Sequence, residues 1–517
     1  MSRQEEMQNE RVRKLKELRA QKINPYPYSY EVKNLSSDLQ EKYKKLKNNE
    51  KAKETGKIAG RIMAIRDLGK ITFVVVQDGK GKIQVIFQDG ETPDSLIKFF
   101  KKYADSGDFF GFEGPILRTQ RGELSILAKK AELLAKSLMP LPDKWHGLED
   151  KEERYRKRYL DLLMSPEVKE IFIKREKILD AIREFLKSKG FIEVDTPYLQ
   201  TIYGGAEARP FKTHLNALNM DLYLAISPEL YLKRLTVGGL DKVFTIARNF
   251  RNEGIDKWHN PEFTMMEIYQ AYVDYNEMMV LFESIYEQVC KKVLGTTKVK
   301  IGDVTLDFKA PWKRMTMAEA IKQYAKIDVL KMDEAELFDF VKEKNITYKE
   351  KNWGMLVVAI FEHFCEKQII QPTFIINHPK ETTPLCKLHR KDERLIERFE
   401  PFCMGAELGN AYSELNDPIL QKKLLEEQQE KLRKGNEEAN PYDKDFINAL
   451  EVGLPPTGGL GLGIDRMIIL LLGQQSIRDI ILFPFMKPEI EETKAENKTE
   501  SPKETKKPGK KSKEILK

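Results

Sequence analysis

The stretch at residues 250–272 constrains the fold most, because polar and apolar side chains alternate in it around a polar loop. Alternation with a period of two predicts β-strands, whose successive side chains point to opposite faces. After the loop, Glu267 and Tyr269 share a face with the apolar Phe263 and Met265. A buried carboxylate is costly without a partner, so we expect a cationic or hydrogen-bonding group to meet Glu267. The pattern predicts a functional strand-loop-strand unit; the alternative is a surface hairpin with solvated charges.

The strand before the loop is expected to present a second polar face. Asn249, Arg251 and Glu253 share one parity, whereas the apolar side chains of the same segment share the other. Several polar side chains in phase favour a binding surface over scattered surface charges. The loop histidine His259, taken alone, is more often an ordinary loop residue.

A third polar stretch, which ends in GNAYSELND, is unusually acidic for a segment with strand character. Asn410, Tyr412 and Glu414 share one parity, which brings an amide, a phenol and a carboxylate to one face. Glu407 has the other parity. A bend or bulge near Gly409 is therefore needed if all four side chains serve one site.

Glu400 and Glu407 are candidate ligands of a metal ion. Mg²⁺ usually takes one or two carboxylates besides substrate phosphates. The alternative is that these carboxylates form salt bridges with arginines such as Arg398. The four cysteines are scattered with no CxxC pair, which argues against a structural zinc site and against a disulfide framework.

A glycine-rich segment, GGLGLGIDR, opens onto the apolar residues 467–472. Glycines let the backbone approach a ligand or another strand closely. Arg466, at the predicted helix start, can hold a phosphate with help from the helix dipole. A packing role alone is the alternative. The GxxxxGKS/T phosphate loop and the HIGH and KMSKS motifs do not occur in the sequence.

Length and composition predict a soluble protein with more than one domain. The chain has 517 residues, 41% of them hydrophobic and 33% charged, which suffices for two or three cores. The formal net charge of +7 permits a polyanionic partner without establishing one. The charged N-terminus is unlike a signal peptide, and the longest apolar run is too short to span a bilayer. We therefore expect a cytoplasmic protein with no membrane association.

The pattern divides the chain into five segments. They are an N-terminal helical segment at 1–54, a small strand-rich domain at 55–137, a Pro-rich linker at 138–150, a main domain at 151–487 with a helical insertion at about 310–372, and a Lys-rich tail at 488–517. The tail lacks apolar periodicity, which predicts disorder.

Five alternating segments predict a small OB-type β-barrel. They lie at 57–65, 70–79, 82–90, 109–119 and 122–133, and a helix is predicted at 94–103. Domains of this kind bind single-stranded nucleic acid by stacking bases on exposed aromatic side chains beside basic residues.

The main domain begins with a clear helix signal. Ser165 is the predicted N-cap, Pro166 the first helical residue and Gly190 the stop. A short strand closed by Pro197 follows.

The polar stretches resemble the motifs of a known family. FRNEG with HNPEFTMMEIY, then GNAYSELND and GGLGLGIDR, resembles the class II aminoacyl-tRNA synthetases, and the first pair resembles their lysyl-specific members in particular. The resemblance covers residues from about 55 to 487. It implies an α+β protein in which a five-stranded OB-type β-barrel precedes a catalytic domain built on an antiparallel sheet flanked by helices. The family acts as a homodimer.

The resemblance also implies an activity. Such an enzyme activates L-lysine with ATP and Mg²⁺ to lysyl-adenylate, releases pyrophosphate, and transfers lysine to the 3′ end of tRNA(Lys). Attack of one anion on another needs cations and positioning. Arg251 and Arg466 are therefore the expected catalytic residues.

The other roles are carried over position by position. The residues expected at lysine are Gly205 and Glu229 for the α-amino group, Arg251 and Asn410 for the carboxylate, and Glu414 and Tyr269 for the ε-ammonium, with Glu267 and Tyr412 close by. Those expected at ATP are Arg251, Glu253, His259, Phe263 and Arg466, and those at Mg²⁺ are Glu400 and Glu407. Those expected at the anticodon are Arg66, Phe73, Gln84 and Glu123. Phe73 as part of the barrel core is the alternative.

Three rival functions share parts of the pattern. Aspartyl and asparaginyl enzymes have the same architecture, but their substrates do not need Glu229, Glu267 and Glu414 together. A non-catalytic RNA-binding or regulatory paralogue need not keep the charged residues. A lysine ligase that acts on a protein resembles versions without the barrel, so residues 55–136 disfavour it.

Overall fold

A computed structural model describes residues 3–142 and 150–488 of the chain. Two compact units are divided between residues 149 and 150. Most of the predicted linker, and the predicted tail from residue 489 onward, lie outside the described residues. Within the described ranges, no helix combines the length and the apolar character needed to cross a membrane.

Residues 3–142 of the N-terminal unit contain three helices and six strands. They are α1 (Arg3–Ala20), α2 (Ser36–Lys42), β1 (Lys51–Asp67), β2 (Ile71–Gln77), β3 (Lys82–Gln88), α3 (Asp94–Tyr103), β4 (Phe109–Arg118), β5 (Leu124–Leu127) and β6 (Lys130–Ala135).

Five of these strands form a closed ring. β1 pairs with β2, β2 with β3, β3 with β5, β5 with β4, and β4 with β1. The alternation predicts the core directly, because Val74, Val76 and Val85 are buried inside the ring. Phe100 of the predicted helix stacks on Phe87 with ring centres 4.2 Å apart.

The last predicted strand of this unit differs from the prediction. The segment at 122–133 forms two strands, because the backbone changes partner between them. The amide of Ala128 donates to the carbonyl of Ile86 in β3, and the next amide, that of Lys129, donates to Glu113 in β4. β5 therefore closes the ring, whereas β6 pairs with the first half of β4.

The C-terminal unit contains twelve helices and fourteen strands among its described residues. The helices are α4 (Lys151–Arg156), α5 (Arg158–Met164), α6 (Pro166–Ser188), α7 (Glu229–Val237), α8 (Tyr275–Val289), α9 (Met317–Tyr324), α10 (Glu334–Glu343), α11 (Trp353–Phe364), α12 (Pro418–Arg433), α13 (Lys444–Gly453), α14 (Ile464–Leu471) and α15 (Ile477–Ile480). The strands are β7 (Ile192–Glu193), β8 (Leu199–Gln200), β9 (Lys212–Leu215), β10 (Met220–Leu224), β11 (Lys242–Phe250), β12 (Glu262–Ala271), β13 (Lys298–Ile301), β14 (Val304–Asp307), β15 (Lys313–Thr316), β16 (Thr373–Pro379), β17 (Leu395–Cys403), β18 (Ala406–Glu407), β19 (Gly409–Ser413) and β20 (Thr457–Gly463).

The main sheet of this unit has the strand order β15-β16-β17-β19-β20-β12-β11-β7, with β18 paired to β17. Its pairs are antiparallel except for β15 with β16 and β7 with β11. Helices α6, α8 and α14 cover it through Ile178, Phe282 and Met467, which join one apolar cluster with Ile268 and Leu460 of the sheet. The sheet and its flanking helices form the α+β catalytic architecture expected from the sequence.

Helix α6 begins and ends where the sequence predicts. Pro166 is its first residue, and Gly190 has φ +82°, a conformation that glycine adopts without steric cost. Ser165 occupies the N-cap position, but its side chain makes no capping hydrogen bond within the described part of the chain. The position of the N-cap residue was therefore predicted correctly, but the capping hydrogen bond typical of serine is not formed.

Helices α9, α10 and α11 fall within residues 310–372, where the sequence predicts a helical insertion. They have a core of their own, in which Ile321, Leu337, Leu356 and Ile360 are fully buried. Ile375 of β16 joins this core and so connects it to the main sheet.

Closure of the N-terminal ring predicts that position 114 must be glycine. A Cβ atom there would lie 1.8 Å from the carbonyl oxygen of Leu127, which is rigid backbone. We expect Gly114→Ala to lower the free energy of unfolding by roughly 1–3 kcal/mol, measured by denaturant titration. Gly79→Ala is the matched control, since a Cβ there would meet no heavy atom of the described residues within 4 Å. Equal stability of the two variants would contradict the ring closure.

Candidate active site and nucleic-acid face

A cavity of about 450 Å³ lies in the C-terminal unit, where β12, β19 and β20 run side by side. Its wall contains most of the residues that the sequence singles out for lysine, ATP and Mg²⁺. They are Gly205, Glu229, Arg251, Glu253, His259, Phe263, Glu267, Tyr269, Glu400, Glu407, Asn410, Tyr412 and Arg466. The structure therefore brings residues from five separate sequence stretches to one site.

The predicted alternation holds on β12 and fails at the end of β11. Phe263, Glu267 and Tyr269 all line the cavity from one face of β12. Strand β11 ends at Phe250, so Arg251 and Glu253 do not share a strand face with Asn249. Both reach the cavity from the loop, because the strand ends three residues before Glu253.

Glu267 is buried and has polar partners, as the sequence required. Ser227 donates to its Oε1 atom at 2.7 Å, and the Tyr269 hydroxyl donates to Oε2 at 3.2 Å. Burial, followed by the nearby charge of Glu229, raises the pKa of the Glu267 carboxyl to about 8. This carboxyl can therefore change charge near neutral pH when a cation enters the cavity.

Glu229 and Glu414 meet at an ammonium of the chain itself. Lys233 donates to Glu229 Oε1 at 2.7 Å, and its Nζ atom lies 2.5 Å from Glu414 Oε2. The Tyr412 hydroxyl also donates to Glu229, at 2.6 Å. Burial raises the pKa of the Glu414 carboxyl well above its ordinary value, and Lys233 opposes that rise.

Glu414 is placed differently from the other predicted residues, because it is 1% exposed and lies behind the cavity wall. Neither of its carboxylate oxygens has a hydrogen-bond partner among the described residues. Oε2 has the Lys233 ammonium as an ion-pair partner, whereas Oε1 has no ion-pair partner there. A Cβ atom on Gly459, which does line the cavity, would lie 1.8 Å from this oxygen. The missing side chain of Gly459 thus leaves a buried carboxylate oxygen next to the cavity.

Glycine is also required where the cavity meets Glu229. Gly205 has φ +87°, and a Cβ there would lie 2.8 Å from Cβ of Glu229 and 2.9 Å from Oγ of Ser227. The backbone of Gly205 therefore approaches both side chains more closely than any other residue type would allow.

Arg251 is half-buried in the cavity wall and has unused donor capacity. Its buried Nε atom has no hydrogen-bond partner within the described ranges, and its guanidinium lies 5.2 Å from the centre of the Phe263 ring. Desolvation lowers the pKa of Arg251, although Glu253 and Glu407 oppose the shift. A half-buried guanidinium with a free donor is suited to an anionic ligand.

Arg466 also faces the cavity and is held by two neighbours. It donates to the carbonyl oxygen of Glu407 at 2.7 Å, and one of its nitrogens lies 3.3 Å from Nε2 of His259. The adjacent Asp465 forms an ion pair with Arg175 at 2.8 Å and accepts from the Thr264 amide at 2.7 Å. These bonds fix the start of α14, and with it the position of Arg466.

The two acidic metal-ligand candidates lie in the same cavity wall. Glu400 pairs with Arg398, and Glu407 lies 3.3 Å from Arg466, so the predicted alternative of arginine partners is present for both. Strand structure is interrupted at Leu408, between β18 and β19. This interruption provides the bend that Glu407 needs to reach the same site as Asn410, because the two residues have opposite parity.

The carboxylate pair has the chemistry of a site for a divalent cation. Burial, and then the charge of Glu400, raises the pKa of Glu407. Two mutually repelling carboxylates fit an ion such as Mg²⁺ that completes its shell with phosphates and water. No cluster of three or more metal-ligating side chains is found in residues 3–142 and 150–488.

Several residues of the site were missed or undervalued from sequence. Lys233 follows Glu229 by four positions, a helix spacing typical of ion pairs that could have identified it. Arg398 donates to Asn410 Oδ1 at 2.8 Å and so positions a predicted lysine contact. The Arg175–Asp465 pair joins residues 290 positions apart and has no local sequence signal.

The predicted anticodon residues lie on neighbouring strands of the N-terminal ring. Arg66 of β1 is directly opposite Phe73 of β2, and Gln84 of β3 is opposite Ser125 of β5. Glu123 immediately precedes β5 and is exposed. Phe73 is half-buried and is not among the described residues that form the core of the ring, so the alternative of a core role does not hold.

Two family profiles match the chain. The profile of the tRNA synthetases class II (D, K and N) matches residues 150–487, and that of the OB-fold nucleic acid binding domain matches residues 57–134. The chain is 48% identical to the lysine–tRNA ligase of Methanoculleus marisnigri, across 93% of this chain and 95% of the relative. It is also 48% identical to the lysine–tRNA ligase of Carboxydothermus hydrogenoformans, across 92% and 97% respectively, and to lysine–tRNA ligase 2 of Methanosarcina mazei, across 93% and 94%. The chain belongs to the class II tRNA synthetases of the D, K and N group, within the lysine–tRNA ligase family.

Proposed function

We propose that the chain activates L-lysine with ATP to lysyl-adenylate, releases pyrophosphate, and transfers lysine to the 3′ end of tRNA(Lys). The observation that carries the lysine assignment is the unpartnered Oε1 atom of Glu414, a buried carboxylate oxygen beside the cavity. An ammonium-bearing substrate would satisfy that oxygen. A substrate without the ammonium would leave it desolvated and unpaired.

The lysine subsite is proposed as follows. The α-amino group lies at the Gly205 backbone and the Glu229 carboxylate, and the ε-ammonium lies between Glu414 and Tyr269. Glu267 adds negative charge nearby and is oriented by its hydrogen bond from Ser227. Tyr412 supports the subsite indirectly, because its hydroxyl is bonded to Glu229.

The carboxylate of lysine is proposed to lie at Arg251 and Asn410. Arg398 orients the Asn410 amide through its oxygen, which leaves the NH₂ group directed away from Arg398 and available to a carboxylate. Arg251 can supply the charge that the carboxylate needs, because its Nε atom is buried and has an unused donor.

The chemical step joins two anions and therefore depends on positioned positive charge. A lysine carboxylate oxygen attacks the α-phosphorus of ATP, a mixed anhydride forms, and pyrophosphate leaves with the electrons of the broken P–O bond. Arg251 is proposed to hold the reacting carboxylate and α-phosphate together, and Arg466 to hold the outer phosphates. Phe263 is proposed to stack on adenine, and Glu253 and His259 to border the nucleotide.

Glu400 and Glu407 are proposed to hold Mg²⁺. When bound, the ion would offset negative charge on the ATP phosphates. The arginines now paired with these carboxylates, Arg398 and Arg466, would then be released in part to the substrates.

The N-terminal ring is proposed to bind the anticodon of tRNA(Lys). Phe73 offers a partly exposed aromatic surface, with Arg66 directly opposite on the next strand for a backbone phosphate. Gln84 and Glu123 supply hydrogen-bonding groups on the strands that follow. A cytoplasmic homodimer with this division of domains remains a prediction from the family resemblance.

The first experiment is ATP–pyrophosphate exchange with each amino acid offered singly in the presence of Mg²⁺. Exchange with lysine alone supports the proposed specificity. Exchange with aspartate or asparagine would retain the family and refute the lysine subsite. Absence of exchange with every amino acid would favour a non-catalytic paralogue.

Glu414→Gln should raise the KM for lysine by at least about tenfold and leave the KM for ATP nearly unchanged. The amide cannot form the charge-assisted bond, which contributes roughly 1.5–3 kcal/mol. Steady-state exchange kinetics measure both constants, and Glu426→Gln on the exposed face of α12 is the matched control. An unchanged lysine KM would refute the assignment of Glu414.

The KM for lysine is expected to fall as pH rises from about 6 to 8.5. The Glu267 carboxyl has its pKa raised to about 8, so it is neutral at the lower end and ionised at the upper end, where it attracts an ammonium. Glu267→Gln should flatten this part of the pH profile. A slope that persists in Glu267→Gln would assign the titration to another group.

Phe73→Ala should weaken tRNA charging and spare lysyl-adenylate formation. Loss of one stacked base corresponds to roughly 1–3 kcal/mol and appears in the KM for tRNA. Aminoacylation and ATP–pyrophosphate exchange on the same preparation separate the two steps. Phe109→Ala, which removes a half-buried ring from β4, is the control. Equal loss of both activities in Phe73→Ala would contradict the anticodon assignment.

A further inference from the structure

Lys233 of α7 is a fully buried ammonium that the proposed reaction has not used. It contacts Glu229 Oε1 at 2.7 Å and Glu414 Oε2 at 2.5 Å. Its Nζ atom lies 5.5 Å from the centre of the Tyr412 ring and 5.8 Å from that of Phe446. A buried charge without partners is strongly unfavourable, so the two carboxylates explain how this lysine is tolerated.

The two carboxylates are those assigned to opposite ends of the substrate. Glu229 is proposed for the α-amino group and Glu414 for the ε-ammonium, and a single resident ammonium binds both. Glu414 divides its oxygens between two sides, since Oε2 faces Lys233 and the unpartnered Oε1 lies next to Gly459 of the cavity wall. The position of Lys233 thereby determines which oxygen is left for a ligand.

Charge balance gives Lys233 a second effect. Burial favours a neutral Glu414, whereas Lys233 favours the carboxylate. Burial also lowers the pKa of Lys233 itself, but Glu229 and Glu414 together raise it above its ordinary value. Glu414 and Lys233 therefore each favour the charged form of the other. The cluster holds two acidic side chains and one ammonium, which suits an incoming cation.

We propose that Lys233 is a positioning residue for lysine recognition, which holds the side chains of Glu229 and Glu414 in fixed positions and presents Oε1 of Glu414 to the substrate ε-ammonium. The inference rests on the proposed lysine specificity. Lys233 does not contact the substrate in this arrangement, and it acts through Glu229 and Glu414.

Other titratable groups near Lys233 come from the neighbouring strands. Tyr269 of β12, Tyr412 of β19 and Cys386, which forms a β-bridge with Glu414, have their pKa values raised by burial. These groups stay neutral between pH 6 and 9. On the side of α13, Asp443 is paired with Arg234 at 2.6 Å. The carboxyls of Glu267 and Glu414 are therefore the groups whose titration can respond to loss of the ammonium.

The test compares Lys233→Met with wild type by ATP–pyrophosphate exchange. Methionine keeps most of the volume and removes the charge. The lysine KM should rise at least about tenfold while the ATP KM stays within about twofold. The acid limb of kcat/KM for lysine should move to higher pH by about one unit, because the carboxylates lose a stabilising cation. Lys242→Met, at the half-buried start of β11, is the control. Lys233→Arg keeps the charge and should therefore retain part of the activity that Lys233→Met loses.

A double-mutant cycle separates positioning from packing. In the Glu414→Gln background, Lys233→Met should raise the lysine KM by a smaller factor than it does in wild type, because one of the two carboxylates through which Lys233 acts has already been changed. The double variant leaves a buried carboxylate without its ammonium only at Glu229, so it keeps the test available if Lys233→Met alone does not fold.

Three results would overturn the inference. A lower lysine KM in Lys233→Met would make the resident ammonium a competitor of the substrate. Equal losses in both backgrounds, or equal losses in lysine and ATP constants, would reduce Lys233 to a packing role. An unchanged lysine KM with an unchanged pH profile would remove any role in recognition. Absence of lysine exchange in wild type would instead refute the proposed function, and this is seen before any variant is compared.

Discussion

The cavity exists because the central strand of the sheet presents glycine where its neighbours present functional side chains. In β20, Gly459 lies opposite both Tyr269 and Tyr412, and Gly461 lies opposite both Glu267 and Asn410. A Cβ on Gly461 would lie 2.6 Å from the side chain of Met265. Antiparallel pairing thus sets side chains from two strands around a floor of bare backbone. The hydrogen-bond register, rather than a loop, fixes how far apart the polar groups stand.

Such a cavity creates an electrostatic problem, since three buried carboxylates lie close together. The structure meets this cost in two ways. Glu267 accepts from Ser227 and Tyr269 and has a raised pKa, whereas Glu229 and Glu414 share the Lys233 ammonium. Arg251 and Arg466 add positive charge to the wall of the same cavity. A cavity that offers both signs of charge suits a substrate that carries both.

Sequence parity predicted a large share of the site. The face shared by Phe263, Glu267 and Tyr269 follows from a period of two, and so does the need for a break before Asn410. The prediction was wrong where a strand stopped early, as at Arg251, and where one apolar segment changed partner to give β5 and β6. Strand ends and partner changes depend on hydrogen bonds to distant backbone, to which local alternation is insensitive.

The sequence by itself determined the order of strands and helices, the polar faces and the family, because these depend on local periodicity and on motifs that can be read in order. Only the tertiary structure decided which charges meet. It brought Arg175 to Asp465, a pair 290 positions apart, and it moved Glu414 behind Gly459 with one oxygen unpartnered. It also placed Lys233 between two acids that lie 185 positions apart in the chain, at 229 and 414. Contacts of this kind come from the packing of α7 against a sheet assembled from remote segments. A local sequence pattern does not show which remote residues will meet.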